Sequence, residues 1–189
     1  MSRQGSGPEG EYTGKRYYGK YRGKVILNID PMQKGRIQAM VPTVSQYLPT
    51  TWANPCVPFA GLGVGTFFVP PINANVWIEF EEGNPRYPIW TGGFWDEKDL
   101  VSIQPNPFLK PGDFIIRTLT GNTIRLSDLP PGITLETLDQ KKVSLGVDGI
   151  EVSWLGGIIR ILPGNMITIM STSKISINSP GNVSINGPV

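Results

Sequence analysis

IRILPGNM (159–166), ITIMSTSK (167–174), ISINSPGN (175–182) and VSINGPV (183–189) form an octad repeat at the end of the chain. The first and third positions of every octad are aliphatic, and the residue between them is polar. Residues two apart in a β-strand lie on one face, so each octad has an apolar face and a polar face. Turn formers such as Pro163-Gly164 and Pro180-Gly181 stand near the octad ends. The repeat therefore predicts short strands joined by turns.

Two apolar residues per octad are too few to build a core within one chain, so the repeat has to be buried on something else. Three chains wound around a common axis would meet this requirement and leave few free strand edges. The residues predicted to form this trimer core are Ile159, Ile161, Ile167, Ile169, Ile175, Ile177, Val183 and Ile185. From Val152 onward there is no acidic residue, and only Arg160 and Lys174 are charged, which favours a shaft packed by its own copies. An ordinary sheet edge with accidental spacing is the alternative.

The composition of the whole chain points to an all-β protein. It has 189 residues, of which 23 are glycine and 18 proline, while 39 % are hydrophobic. Histidine is absent and there is one cysteine, which excludes histidine-based catalysis, an internal disulfide and a cysteine-cluster zinc site. Cys56 stands among apolar residues and is predicted to be a buried, inert thiol.

The N-terminal half predicts a small barrel. Strand-like runs cover 21–29, 35–41, 75–80 and 89–94, with shorter ones at 52–58 and 65–69. About five strands without a convincing helix fit a barrel of the OB type, although the pattern also fits a sandwich. The aromatic residues of this half are predicted to form barrel core and interface: Trp52, Phe67, Phe68, Trp77, Trp90, Phe94 and Trp95.

The chain is accordingly divided into five segments. They are a flexible arm (1–19), an OB-fold barrel (20–96), a proline-rich linker (97–112), a neck of β-hairpins (113–157) and the octad needle (158–189). Residues 1–11 are polar and do not resemble a secretory signal, and no run reaches the roughly 18 apolar residues of a transmembrane helix. We therefore expect synthesis in the cytoplasm.

Several motifs, in the order in which they occur, resemble a known family. They are GRIQAMVP (35–42), Trp52, VWIEF (76–80), Gly83-Asn84-Pro85 and TGNTIRLSD (120–128), followed by the octads. They are similar to the OB domain, connecting segment and triple-stranded β-helix of central spike proteins. These include the phage baseplate assembly protein V family and the valine-glycine repeat spikes of type VI secretion.

The resemblance implies a homotrimeric central spike that punctures a target envelope and has neither catalytic activity nor a cofactor or metal. Its OB barrels would bind a hub ring protein, with Lys15, Arg16, Tyr17 and Tyr18 as candidate contacts. The blunt end of its needle would carry a tip protein of the PAAR-repeat kind, in contact with Asn186, Gly187, Pro188 and Val189. Such a protein would be assembled into a phage tail or injection particle, at its baseplate.

Two other functions are compatible with parts of the sequence. OB barrels bind single-stranded nucleic acid through basic and aromatic side chains, which alternate here over Lys15, Arg16, Tyr17, Tyr18, Lys20, Tyr21, Arg22 and Lys24. Paired carboxylates could hydrolyse glycans, and acidic groups occur at Glu79, Glu81 and Glu82 and at Asp96, Glu97 and Asp99. Both acidic groups are more simply explained as solvated strand ends and linker charge.

Overall fold

The computed structural model describes residues 12–97, 99, 112–164 and 166–176. These residues form strands and turns, with helical backbone confined to the 3₁₀ turn Glu81–Gly83 and to Glu97 and Asp99, so the protein is all-β as predicted. They belong to two compact units, divided between Gln104 and Pro105. Most of the predicted linker lies outside the described residues.

The first unit is a curled sheet of OB type. Its strands are β1 (Tyr21–Leu27), β2 (Gln38–Met40), β3 (Asn54–Pro55), β4 (Ala60–Gly61), β5 (Val64–Gly65), β6 (Asn75–Phe80) and β7 (Pro88–Gly93). Five of them pair in the order β2-β1-β6-β7-β3, and β4 and β5 form a separate two-stranded hairpin. The pairings are antiparallel except for β3, which runs parallel to β7 at one edge of the sheet.

The core of this unit is formed by the alternating apolar residues of the strands. Val76, Ile78 and Phe80 on β6 are buried, as the period-two pattern predicted. The fully buried Trp90 donates a hydrogen bond from its indole nitrogen to the Gly35 carbonyl oxygen, at 3.1 Å. The remaining buried hydrophobic side chains are Val25, Ile37, Ala39, Val41 and Ala53.

A buried ion pair shapes the loop between β1 and β2. The Asp30 carboxylate accepts hydrogen bonds from the backbone N–H groups of Met32 and Lys34 and from the guanidinium of Arg36, whose Nη2 lies 2.6 Å from Oδ1. These bonds, chiefly the one from Arg36, hold the pKa of Asp30 well below its usual range. The loop is thereby fixed next to the strand residue Ile37, which enters the core.

The second unit is a seven-stranded antiparallel meander. Its strands are β8 (Phe114–Arg117), β9 (Thr123–Asp128), β10 (Pro131–Glu136), β11 (Lys142–Gly146), β12 (Gly149–Trp154), β13 (Gly157–Leu162) and β14 (Met166–Ser171). Each strand pairs with the next one in the chain. Residues 113–157, predicted to be a neck of β-hairpins, do contain antiparallel hairpins, among them β8–β9 and β10–β11.

Some features of the first unit differ from the sequence-based expectations. The prediction of a buried Cys56 is wrong: the residue is exposed, because it lies just after the two-residue edge strand β3. Its backbone N–H still donates to the Trp90 carbonyl oxygen, at 2.9 Å. Of the aromatic residues predicted for the barrel core and interface, Trp90 is fully buried and belongs to the core, whereas Phe67, Phe68 and Trp95 are largely exposed.

Candidate assembly interface

One face of the meander carries two parallel rows of apolar side chains, which we call the apolar ladders. Residues that pair across neighbouring strands share a face, so the strand register identifies the members of each row. The first ladder is Phe114, Leu126, Ile133, Leu145, Ile150, Ile161 and Ile167, and the second is Ile116, Ile124, Leu135, Val143, Val152, Ile159 and Ile169. Every strand thus contributes one apolar residue to each ladder.

The apolar ladders are not covered within the chain. Twelve of their fourteen side chains keep between 36 and 65 % of their surface exposed, and Val143 and Ile159 are half-buried. Over the described ranges, every buried hydrophobic side chain lies between Val25 and Trp90, in the first unit. The meander is therefore a single layer whose apolar face has no core beneath it. Soluble monomers rarely expose contiguous apolar patches of this kind.

The apolar face also contains a concave region, which runs along the second ladder from β8 to β12. A cavity of about 570 Å³ is lined there by Ile116, Ile124, Val152 and Trp154, among others. The Trp154 ring lies against Gly157 on the neighbouring strand, where a β-carbon would overlap the ring. Glycine at this position leaves the room that the indole occupies.

The opposite face of the meander is mostly polar, although Ile115 on β8 and Ile158, Leu162, Met166 and Met170 on β13 and β14 also lie on it. The row between the two ladders reads Ile115, Arg125, Thr134, Ser144, Glu151, Arg160 and Thr168 across the seven strands. Arg160 donates from Nε to a carboxylate oxygen of Glu151 at 2.9 Å, and this bond lowers the pKa of Glu151. The ladder face is thus wholly apolar along both rows, whereas the opposite face is predominantly polar over β9 to β12.

The octad residues predicted for a trimer core supply one end of these ladders. Ile159 and Ile161 lie on β13, and they pair with Ile169 and Ile167 on β14. Ile175 follows β14 and is half exposed. The rest of the predicted core, Ile177, Val183 and Ile185, lies outside the described residues, as do the predicted tip contacts Asn186, Gly187, Pro188 and Val189.

Ten ladder residues upstream of the octads were not predicted. The octad spacing breaks before Ile159, but the register of the sheet does not: Ile150 pairs with Ile161 and Val152 with Ile159. The two-residue turn Leu155-Gly156 between β12 and β13, with Gly156 at a φ of 90°, compensates for the one-residue change in the spacing of the apolar positions. Alternation within each single hairpin was the sequence signal that could have revealed the longer ladders.

The candidate hub contacts lie beside the 3₁₀ turn of the first unit. Arg16 donates from its guanidinium to the Glu82 carbonyl oxygen at 2.9 Å. The Tyr17 backbone N–H donates to the Gly83 carbonyl oxygen at 2.8 Å. The Tyr17 ring contacts Phe80, whereas Tyr18 keeps 70 % of its surface exposed. Residues 12–19, expected to be flexible, are thus attached to the domain by specific bonds. A contact with a hub protein stays a prediction.

Some of the basic and acidic residues that suggested the two alternative functions form ion pairs with each other or cation–π contacts with aromatic rings. Lys20 pairs with Glu79 at 2.8 Å, and the Arg22 guanidinium lies over the Phe94 ring at 4.9 Å. Among the described residues, no three Cys, Asp or Glu side chains are grouped closely enough to hold a metal ion. Within the same part of the chain, no helix has the length and apolarity needed to cross a membrane.

Comparison with known families agrees with the geometry of the first unit. Residues 21–95 match the model of the type VI secretion system and phage-baseplate injector OB domain. This segment is an injector OB domain. The match confirms the resemblance to the baseplate assembly protein V family over β1 to β7. No curated protein matches the chain well enough to count as a relative. The match supports a structural, baseplate-related role.

Proposed function

We propose that this protein is the central spike of a phage tail or contractile injection system. Three copies associate through the apolar ladders, and the trimer forms a shaft that punctures a target envelope when the sheath contracts. The injector OB domain over residues 21–95 supports the baseplate setting. A structural baseplate part also fits a protein without catalytic activity.

The observation that carries the proposal is the uncovered apolar face of the second unit. Three meanders, each with its ladders turned inward, would form a three-sided prism with an apolar interior and a mostly polar outer surface. Both faces of every sheet would then meet the environment that their side chains prefer. A trimer of this kind needs no active site, and its resistance to unfolding comes from interfaces that all three chains share.

The proposal assigns partners to the two ends of the spike. A hub ring protein binds the injector OB domains, with the exposed Tyr18 and with Lys15, whose ammonium group lies over the Tyr17 ring, as contacts. A tip protein of the PAAR-repeat kind binds the C-terminal residues 186–189. Both assignments follow from the resemblance to central spikes. Assembly into the baseplate of a particle is the corresponding location.

The mass of the protein in solution tests the trimer. Light scattering on a sizing column should give three times the chain mass of 20.7 kDa, about 62 kDa. A truncation that ends at Asp148 keeps β8 to β11 and lacks β12 to β14, and it should associate more weakly. A stable, monodisperse monomer of the full chain would refute the proposal.

A further inference from the structure

The injector OB domain has a long stretch without any charged residue. Between Arg36 and Glu79, all 42 residues from Ile37 to Ile78 are uncharged, although 17 % of the whole chain is charged. That average would place about seven charged side chains in a stretch of this length. Part of the stretch forms the domain core, but Tyr47, Leu48 and Leu62 are more than 70 % exposed. A surface depleted of charge is characteristic of permanent interfaces between subunits.

Within this stretch, an apolar hairpin projects from the domain. We call residues 59–67, which contain β4 and β5, the apolar hairpin. Ala60 pairs with Gly65 and Gly61 with Val64, so the strands are short and the tip falls at Leu62-Gly63. Leu62 is fully exposed, and Phe59, Val64 and Phe67 each keep between 59 and 72 % of their surface exposed. The hairpin thus presents an apolar knob to the surroundings.

The same domain has a groove of matching character. A cavity of about 510 Å³ opens beside β6 and β7, and its lining is mostly apolar. Phe68, Pro70, Val76 and Phe94 are among its lining residues, and the exposed backbone of Gly93 forms part of its wall. Apolar cavities of this size bind apolar side chains by removing both surfaces from water.

The charges at the borders of the two features are complementary. Lys34 is exposed next to Gly35, which lies against the Phe67 ring at the base of the hairpin. Asp99 lines the groove, and its carboxylate accepts hydrogen bonds from the Asn75 side-chain amide at 2.8 Å and from the Asp96 backbone N–H at 3.0 Å, which places an acidic group at this border. A hairpin entering the groove of another copy would bring opposite charges together at the rim of the contact.

We propose that the apolar hairpin of each chain inserts into the groove of the next chain, so that three injector OB domains close into a ring. This inference rests on the proposed trimer. A knob and a groove on one molecule form a head-to-tail contact, and such a contact closes into a ring when the rotation between copies is one third of a turn. Every knob and groove is then used, and the charge-free surface becomes subunit interface.

Disulfide cross-linking of the full chain tests the ring. The paired variant Leu62→Cys and Gly93→Cys, with the native thiol removed by Cys56→Ser, puts one thiol on the knob and one in the groove. The Gly93 backbone has space for the side chain, since a β-carbon there comes no closer than 3.4 Å to another atom. Oxidation should give covalent dimers and trimers on a non-reducing gel, and reduction should remove them.

A matched control replaces another exposed leucine. Leu138 is 71 % exposed in the turn of a meander hairpin, so Leu138→Cys with Gly93→Cys should give no covalent trimer. Each single-cysteine variant should also run as a monomer. If Leu62→Cys alone forms covalent dimers, the hairpins contact each other and the head-to-tail arrangement is wrong.

Two further measurements separate the possible failures. Light scattering of each variant reports the trimer independently: a mass of about 62 kDa without cross-links refutes the ring alone, whereas a mass of 20.7 kDa refutes the proposed trimer as well. Flotation with vesicles of phosphatidylcholine and phosphatidylglycerol examines a lipid partner. Binding by the parent chain that Leu62→Asp abolishes would overturn the ring and assign the hairpin to a membrane surface.

Discussion

A single pair of neighbouring residues on β14 can decide which face of the meander is the interface. Ile169 belongs to the second ladder, and Thr168 lies beside it on the polar face, opposite Arg160. We predict that Ile169→Asp abolishes the trimer and that Thr168→Asp leaves it intact. The two variants introduce the same charge into the same strand, so β-propensity and net charge are matched.

The expected magnitude follows from the exposure of Ile169. Full burial of an isoleucine side chain contributes about 1.5–3 kcal/mol, and Ile169 keeps 51 % of its surface exposed in the single chain. Covering the rest in a trimer is therefore worth about 1 kcal/mol per chain, or about 3 kcal/mol for three. Three carboxylates moved out of water cost several kcal/mol each, so the total loss is on the order of 10 kcal/mol. This equals the whole stability of many proteins.

The assay is light scattering on a sizing column, with a circular dichroism spectrum to confirm that the strands are retained. Ile169→Asp should elute as a monomer or as a polydisperse aggregate, and Thr168→Asp should keep the parent mass. If Ile169→Asp forms a stable trimer of parental thermal stability, the ladders do not face one another and our reasoning is wrong. If Thr168→Asp alone disrupts the trimer, the polar face is the interior.

Three further predictions concern single side chains. Asp30→Asn should remove an acid-sensitive part of the OB domain's stability. Because the pKa of Asp30 is lowered, the stabilisation by its carboxylate is complete above the usual value of 3.8 and is lost as the pH falls below it. Urea midpoints should therefore drop more between pH 7 and pH 3 in the parent than in the variant, and equal drops would contradict this. Trp90→Phe should lower the free energy of unfolding by about 1–3 kcal/mol, because the buried Gly35 carbonyl loses its hydrogen-bond donor. Urea unfolding followed by near-ultraviolet circular dichroism measures this, and an unchanged midpoint would show that the bond contributes nothing. Glu151→Gln should lower the free energy of unfolding by at most about 1 kcal/mol and leave the mass of the proposed trimer unchanged, because the ion pair with Arg160 is partly exposed. Dissociation of the trimer, seen by light scattering, would mean that this pair is buried.

Much of the fold could be predicted from local patterns. The β6 bounds and its buried residues followed from strict alternation over Asn75–Phe80, and the hairpins of the meander followed from turn residues between aliphatic runs. The exposure of Cys56 could not be predicted in this way, since it depends on the position of β3 at the edge of the sheet. Edge positions are set by tertiary topology, which a local pattern does not contain.

The candidate interface was predicted only at its C-terminal end. Identical spacing drew attention to Ile159, Ile161, Ile167 and Ile169, whereas the rest of the ladders come from hairpins of unequal length. Their alignment depends on strand register, and a shift of one residue would turn each set to the other face. Register is fixed by the turns acting together with the pairing, so a search for repeats finds only the part with a constant period.

Over the part of the chain that the structure describes, the meander has no buried core beneath its apolar face, and this has a consequence for how the protein matures. A sheet that gains its interior only from other copies makes folding and association one event, whose extent depends on protein concentration. Dilution should therefore act on this half of the chain as a denaturant does, while the injector OB domain, which has its own core, stays folded. If the proposed trimer is correct, the meander of a newly made chain completes its fold only on association, and the association rate decides between assembly and the stacking of open sheets into aggregates.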